Sequence, residues 1–349
     1  MRCSHCWLAP PHDENGKTQP VLDPELFRSI VRQAKEFGLK GVKLTGGEPF
    51  LHPEINTILD YIREECLELT VETNGVLCTP ELALKLKECS NQLSIAVSLD
   101  GADALTHETI RGVKGAFPKA VRGIRNLVQS GINPQIIMTV MRRNVSQIES
   151  LVRLAEELGA GSVKFNMLQP TERGKAIHEN GESLNVRELI ELGAVVENNI
   201  APSTSIKLYY DHPVAFRPLG RIFGKKEGIS TCGIMSILGV LADGSYALCG
   251  IGDNIKEFVF GHAATNRFSD VWQNNPVLKN IREGMPVKLE GVCERCIFKS
   301  HCLGSCIAQN YYATRNLWAP FWFCKSAFEA GLFPESRLTP LESTINSTF

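Results

Sequence analysis

The chain has 349 residues, of which 43% are hydrophobic, and its 37 basic and 38 acidic side chains leave a formal net charge of -1. A chain of this length usually forms about two domains, and the balanced charge excludes the basic surface that nucleic-acid binding requires. Because no apolar run reaches the ~20 residues of a membrane span and no apolar signal segment is seen, we expect a cytoplasmic protein without a membrane partner.

Strand-like and helical segments alternate from about residue 20 to residue 211. Short apolar runs predict six strands, at 41–44, 67–71, 93–97, 134–140, 162–165 and 205–211. Apolar residues at helical spacing predict helices at 22–39, 55–66, 80–90, 117–131, 145–159 and 184–200. This alternation is typical of parallel βα units. Polar or glycine-bearing turns follow the first five strands, at the end where βα barrels carry their chemistry.

The pattern changes after about residue 230. Residues 236–250 predict a β-hairpin that turns at Asp243-Gly244, and residues 268–284 predict a short helical stretch. The remainder is rich in cysteine and has little periodicity. We therefore expect a βα domain at 1–228, a cysteine-rich domain at 229–333 and a polar tail at 334–349.

Twelve cysteines make the composition unusual. Disulfide frameworks belong to short exported chains, so cysteines in this long chain indicate metal or cluster binding. Seven thiols lie in the last third of the chain, at Cys232, Cys249, Cys293, Cys296, Cys302, Cys306 and Cys324. They exceed one tetrahedral zinc site and nearly complete two four-cysteine sites, while soft thiolates suit both zinc and iron–sulfur clusters. Cys66, Cys78 and Cys89 are isolated and are expected to be small buried residues.

Three further features together resemble the radical S-adenosylmethionine (SAM) enzymes: the pair Cys3-x-x-Cys6, the Thr-Gly-Gly-Glu-Pro loop at 45–49, and the βα alternation. The spacing of the seven C-terminal cysteines resembles the SPASM domain that follows the barrel in many of these enzymes. The resemblance implies an α/β fold, a partial (β/α)6 TIM-like barrel, followed by a small cysteine-rich SPASM domain with a β-hairpin.

The family's cluster loop has the pattern C-x-x-x-C-x-x-C. Cys3 and Cys6 match its second and third cysteines, which are catalytic ligands of the SAM-binding cluster, and His5 matches the aromatic residue that touches adenine. The first cysteine would lie two positions before Met1. We therefore expect an N-terminus that is truncated or a start codon that is misplaced, with the first barrel strand also missing.

The resemblance also implies the residues that bind SAM. The loop of Gly46, Gly47, Glu48 and Pro49 would receive the methionine amino group, with Glu48 as the partner of the ammonium. Ser98 and Asp100 would contact the ribose hydroxyls, Asn74 would line the same site, and Arg111 would meet the SAM carboxylate as a planar donor fork.

Two auxiliary [4Fe–4S] clusters are implied in addition to the SAM-binding [4Fe–4S] cluster. By the family's interleaved ligation, Cys232, Cys249 and Cys306 would hold the first. Cys293, Cys296, Cys302 and Cys324 would hold the second. The first auxiliary cluster then has three cysteines and lacks a fourth ligand of known identity.

The implied activity is that of a radical SAM oxidoreductase that modifies a peptide or protein side chain by cross-linking or oxidation. A peptide or protein substrate, a reducing partner such as flavodoxin or ferredoxin, a separate peptide-recognition protein and a low-oxygen cytoplasm would accompany it. Gly250 follows Cys249 where sulfatase maturases usually have aspartate, which argues against that branch. Two alternatives remain: cofactor or haem-type small-molecule biosynthesis, and a non-catalytic metal-binding module, since the first cluster cysteine is absent.

Overall fold

A computed structural model describes residues 1–8, 20–222, 232–250 and 254–340. Its main sheet has six strands: β1 Gly41–Leu44, β2 Glu68–Thr73, β3 Leu93–Ser98, β4 Gln135–Val140, β5 Ser162–Met167 and β6 Lys207–Tyr210. All neighbours pair in parallel and in sequence order. The helices that accompany them are α1 Pro24–Lys35, α2 Ile55–Glu64, α3 Pro80–Cys89, α4 Ala104–Arg111, α5 Ala116–Gln129, α6 Ile148–Leu158, α7 Arg173–Glu179 and α8 Val186–Val195. The predicted α/β fold with six parallel strands is confirmed.

The two faces of the sheet differ in polarity. Strands joined in sequence order by right-handed crossovers place their helices on one face, and alternate side chains of each strand point to that face. In β2 these are the buried Leu69 and Val71, which join the apolar core. Glu72, Lys164 and Asn166 lie at the intervening positions of their strands. The inner face of the sheet therefore carries polar groups that can meet a ligand.

Two of the helices that accompany the main sheet were absent from the predicted pattern. Helix α4 has only eight residues, but both of its ends are well capped. Asp103 accepts the Thr106 N–H at 2.8 Å, and Gly112 adopts the left-handed conformation at φ 66°, as helix C-termini often require. Helix α7 is shorter still. The predicted helix at 184–200 corresponds to α8, which ends at Val195 and is followed by one π-helical turn, Val196–Ile200.

Helix α5 lies very close to the loop that follows β2. A Cβ atom at Gly123 would lie 2.0 Å from the carbonyl oxygen of Gly75, which no real contact allows. On the same side of α5, the Asn126 side chain donates a hydrogen bond of 2.8 Å to the Cys78 carbonyl. Glycine at 123 thus sets the distance between α5 and a loop that borders the candidate site.

Alanine at Gly123 should therefore destabilise the protein by about 1–3 kcal/mol, the usual cost of overpacking. Unfolding in urea, followed by circular dichroism, measures the loss. The exposed Gly220 has no atom within 4 Å of its Cβ position, so Gly220→Ala is the matched control and should leave the midpoint unchanged. Equal midpoints for the two variants would contradict the close approach.

The C-terminal region contains a second, antiparallel sheet of three strands, β7 Gly239–Val240, β8 Ser245–Ala247 and β9 Val259–His262. The predicted hairpin is confirmed by the pairing of β7 with β8, whereas β9 was not predicted. The helices here are α9 Leu219–Ile222, α10 Phe268–Asn274, α11 Pro276–Gly284, α12 Val292–Arg295, α13 Lys299–Cys302, α14 Ile307–Thr314 and α15 Trp322–Glu329. The predicted domain boundary near 228 and residues 341–349 of the predicted tail lie outside the described residues, so those divisions remain predictions.

The C-terminal region packs against both ends of the open sheet. Near β1, the backbone N–H of Phe268 donates to the Gln33 side chain of α1 at 3.0 Å. Beyond β6, the ring of Phe216 meets the rings of Phe323 and Phe333 edge-on, with centroids 4.9 and 5.4 Å apart. Among the described residues, no helix combines the length and apolar character needed to cross a bilayer.

Candidate functional site

The Gly-Gly-Glu-Pro loop begins where β1 ends and is fastened to the next strand by Glu48. One carboxylate oxygen of Glu48 accepts the Thr73 hydroxyl at 2.7 Å, and the other accepts the Asn74 backbone N–H at 2.8 Å. Burial raises the pKa of Glu48, while these two donors oppose the rise. Gly46, at φ 115°, has no atom within 4 Å of its Cβ position, so the backbone here is open to a ligand. Pro49 starts the short 3-10 turn that follows.

The N-terminal loop that carries Cys3 and Cys6 docks onto the end of α4. The backbone N–H of Arg2 donates to the Arg111 carbonyl at 3.1 Å, and that of Ser4 donates to the Ile110 carbonyl at 2.9 Å. Helix α4 therefore supplies the platform on which the loop rests.

Two arginines hold Cys3. Arg111 places its Nη1 3.6 Å from the Cys3 sulfur and its Nε 2.7 Å from a carboxylate oxygen of Asp100. Arg173 donates to the Cys3 carbonyl at 3.1 Å. The two guanidinium groups thus hold Cys3 in place at the end of α4.

Asp100 is fully buried beneath this loop. One of its oxygens accepts the Thr139 backbone N–H at 2.9 Å, and the other faces Arg111 and, at 3.5 Å, the Nε2 atom of His5. Burial alone would raise the pKa of Asp100, but Arg111 and His5 outweigh it and hold that pKa below its usual range. Burial lowers the pKa of His5 to about 4, so its imidazole is neutral at pH 7.

Two of the residues predicted to bind SAM face protein groups in this structure, and their contacts with SAM remain predictions. Asp100 was predicted to touch a ribose, but both of its oxygens face protein groups and none reaches the surface. Arg111 was predicted to meet the SAM carboxylate, but it is buried and directed at Asp100 and Cys3. We infer that both residues position the N-terminal loop.

The other predicted SAM contacts are on the same edge of the sheet. Ser98 ends β3 and is half-buried, and Asn74 follows β2, where its side-chain oxygen accepts the Val76 N–H at 3.0 Å. Gly47 is exposed and open on its Cβ side. Their contacts with SAM, like that of Glu48 with the ammonium, remain predictions.

The seven C-terminal cysteines separate into two groups. In the first, burial and then the neighbouring thiols of Cys232 and Cys249 raise the pKa of Cys306 to about 12. The backbone N–H groups of Gln309 and Ala308 oppose this rise in the pKa of Cys306. The structure therefore brings together the three cysteines that were predicted to share one cluster.

The second group contains the other four. Burial, followed by the nearby Cys302 and Cys296, raises the pKa of Cys293 to about 11. Burial and the other three thiols raise the pKa of Cys324 well above its ordinary range. All four side chains line one small cavity of about 20 Å³, as expected for the predicted second set.

The donor chemistry of both groups fits iron–sulfur clusters. A buried thiol with a raised pKa ionises only when positive charge compensates it, and a metal cluster supplies that charge. In a four-iron cluster each cysteine binds a different iron, so the sulfurs stand further apart than ligands of a single ion. Across the described residues, no group of three or more His, Cys, Asp or Glu side chains is placed to hold one metal ion.

A larger cavity, of about 260 Å³, lies between the ends of β5 and β6 and the cysteine-rich region. Its walls include Lys164, Asp211 and Arg217 from the βα region and Cys232, Cys306 and Trp322 from the C-terminal region. Lys164 pairs loosely with Asp211 at 3.8 Å. The half-buried Arg217 side chain makes no ion pair or hydrogen bond within the described part of the chain. The cavity therefore presents net positive charge beside the first cysteine group.

Sequence reasoning missed the contact between the two cysteine-bearing loops. Trp7, which follows Cys6, accepts a hydrogen bond of 3.0 Å from the Asn254 side chain. A Cβ atom at Gly250, which follows Cys249, would lie 3.3 Å from the Trp7 ring. The only sequence signal of this contact was the glycine that follows Cys249.

Among the three isolated cysteines, Cys78 and Cys89 are buried as expected, but Cys66 is exposed, which corrects that prediction.

Comparison with known proteins gives matches to both parts of the chain. The family model described as the Radical SAM superfamily matches residues 1–155, and the SPASM model, an iron–sulfur cluster-binding domain, matches residues 232–297. The mycofactocin maturase MftC of Mycobacterium ulcerans is 26% identical over 344 residues, which cover 97% of this chain and 88% of that protein. The AdoMet-dependent heme synthase of Methanosarcina barkeri is 31% identical over 331 residues, 90% of this chain and 89% of that protein.

A solved structure shares the fold. SuiB of Streptococcus suis, bound to its precursor peptide SuiA, superposes with a TM-score of 0.70 at 18% identity, covering 93% of this chain and 72% of that one.

Proposed function

The chain belongs to the radical SAM superfamily and carries an iron–sulfur cluster-binding SPASM domain, and from this premise we propose that it modifies a side chain of a peptide. Cys3 and Cys6 would contribute to the SAM-binding cluster, and the two C-terminal cysteine groups would hold the auxiliary clusters. The clusters and SAM supply the radical chemistry when they are bound. The protein's own part is to orient the reactants and to exclude side reactions.

The cavity beside the first cysteine group is the observation that carries this proposal. Pockets for whole drug-sized ligands usually measure about 300–1,000 Å³, so a cavity of about 260 Å³ suits one or two side chains better than a macrocycle. The unpaired Arg217 and the nearby Lys164 would attract a carboxylate, whether of an acidic residue or of a peptide C-terminus. The mycofactocin maturase resembles this chain over nearly its whole length, and the SuiB structure holds a precursor peptide, which supports a peptide as the substrate.

The protein groups around the site act by positioning. Glu48 fixes the glycine-rich loop to the end of β2 through Thr73 and Asn74, and Asp100 fixes Arg111, which holds Cys3. Trp7 meets the cysteine-rich region at Gly250 and Asn254. These contacts set the distance between the N-terminal loop and the cavity before any substrate binds.

Haem-type chemistry is the second candidate, because the heme synthase of Methanosarcina barkeri is 31% identical to this chain. A porphyrin with carboxylate side chains would also match the positive charge of the cavity. The cavity volume argues against it, since the ring would have to lie largely outside.

The test uses the full-length protein, purified and reconstituted with iron and sulfide without oxygen. With SAM and dithionite, we expect 5′-deoxyadenosine by liquid chromatography. Peptides encoded by short open reading frames adjacent to the gene are then supplied, and one of them should show a SAM-dependent mass change. The variant Cys6→Ala is the control and should lose both products. If the protein instead converted an iron porphyrin with propionate side chains and left the peptides unchanged, haem-type chemistry would replace the proposal. Colourless protein that contains zinc and leaves SAM intact would refute both.

A further inference from the structure

The first cysteine group offers three thiolates, and a four-iron cluster has four irons to ligate. The side chains of the cavity wall beside Cys232 and Cys306 are the candidates for the fourth position. Asp211 pairs with Lys164, and His212 lies 3.7 Å from Glu197. Gln169, Ser305 and Gln309 remain as neutral oxygen donors in the same wall, and of these Gln169 is only half-buried.

Gln309 is distinguished from Ser305 by its burial. Its side chain is 7% exposed, and its amide oxygen Oε1 is fully buried and has no hydrogen-bond partner among the described residues. Leaving such an oxygen unsatisfied is destabilising, and a ligand from outside the described protein residues would remove that cost. Ser305 is half-buried and therefore carries no such cost.

The position of Gln309 in the fold brings its side chain towards Cys306. Cys306 is the N-cap of α14, and Gln309 lies three residues later, in the first turn. The backbone N–H of Gln309 lies beside the Cys306 sulfur. Helical side chains lean towards the N-terminus of their helix, and this one lines the cavity that Cys232 and Cys306 also line.

We propose that the side-chain amide oxygen of Gln309 is the fourth, non-cysteine ligand of the auxiliary cluster held by Cys232, Cys249 and Cys306. The inference rests on the proposed auxiliary cluster and adds the identity of its missing ligand. An amide is neutral where a fourth cysteine would be anionic. The cluster therefore carries one less negative charge, which raises its reduction potential. An oxygen is also a weaker ligand for iron than a thiolate, so this iron is the one that an incoming ligand can reach from the cavity.

The experiment compares wild type with Gln309→Ala, Gln309→Glu and Ser305→Ala in the full-length, reconstituted protein with SAM present, which blocks the SAM-binding cluster. Mössbauer and electron paramagnetic resonance spectra are recorded with and without cyanide, and the clusters are titrated for reduction potential. We expect Gln309→Ala to change the spectrum of one auxiliary cluster and to bind cyanide at least tenfold more tightly than wild type. Gln309→Glu should keep all the iron and lower the potential of that cluster, because a carboxylate adds negative charge. Ser305→Ala should match wild type.

The outcomes test the assignment of Gln309 as a ligand separately from the existence of the cluster. The assignment would be overturned if Gln309→Ala and Gln309→Glu both kept the wild-type spectra, potentials and cyanide affinity. It would also be overturned if only Ser305→Ala changed them. Should Gln309→Ala fail to fold, the potential of Gln309→Glu decides by itself. A wild-type protein with only one auxiliary cluster would instead refute the proposed cluster on which the assignment rests.

Discussion

Asparagine at Asp100 is expected to lower the free energy of unfolding by about 3–5 kcal/mol, because removing one partner of a buried ion pair leaves the other charge uncompensated. Arg111 is that other charge, and its Nε lies 2.7 Å from the Asp100 carboxylate. The same substitution weakens the hold of Arg111 on Cys3. We therefore expect less iron in the SAM-binding cluster as well as a lower urea midpoint, measured without oxygen on the reconstituted protein.

An exposed ion pair provides the control. Glu149 and Arg153 lie 3.8 Å apart on the surface of α6, each about two-thirds exposed, and such pairs contribute about 0–1 kcal/mol. Glu149→Gln should leave both the midpoint and the iron content close to wild type. If Asp100→Asn behaved like Glu149→Gln, the carboxylate would not be supporting the N-terminal loop.

Alanine at Cys306 should remove one auxiliary cluster and leave the other. Cys306 lies with Cys232 and Cys249, whereas the other four thiols line the smaller cavity. Of these four, Cys302 also borders the larger cavity. The iron content should fall by about four atoms per chain, and the spectrum of one auxiliary cluster should disappear. Iron and sulfide analysis, together with electron paramagnetic resonance, measures the result.

Two matched variants complete this test. Cys324→Ala should remove the other cluster, since Cys324 belongs to the second group. Cys66→Ala should lose no iron, because Cys66 is exposed and lies outside both groups. Loss of both auxiliary clusters in Cys306→Ala, at an unchanged content of secondary structure, would contradict the interleaved assignment of the seven cysteines.

The fold was predictable where local pattern decides it. The six strands are apolar runs between turn residues, and the hairpin has Asp-Gly at its turn, so periodicity was sufficient. Strand β9 and helix α4 were missed because each is short: β9 has four residues, two of them glycine and histidine, and α4 is defined mainly by Asp103 and Gly112 at its ends.

The cysteine ligands of the site were predictable from the sequence, but the residues that hold them in position were less so. The resemblance of the cysteine pattern to the SPASM domain implied the two groups, because that pattern can be read directly from the sequence. The pairing of Asp100 with Arg111 joins a strand end to a helix end, and the burial of Gln309 depends on α14 packing beside the cavity. Such tertiary contacts leave no periodic signal, so the sequence does not reveal them.

The contact of Trp7 with Asn254 spans 247 positions of the chain, and this has a consequence for biosynthesis. At about 5–20 residues per second, roughly 12–50 s separate the emergence of these two residues from the ribosome. The thiols of the N-terminal loop are made first, but the loop gains its last neighbour only when three-quarters of the chain has been translated. We therefore expect the cluster proposed for Cys3 and Cys6 to be inserted late, into a chain that is nearly finished.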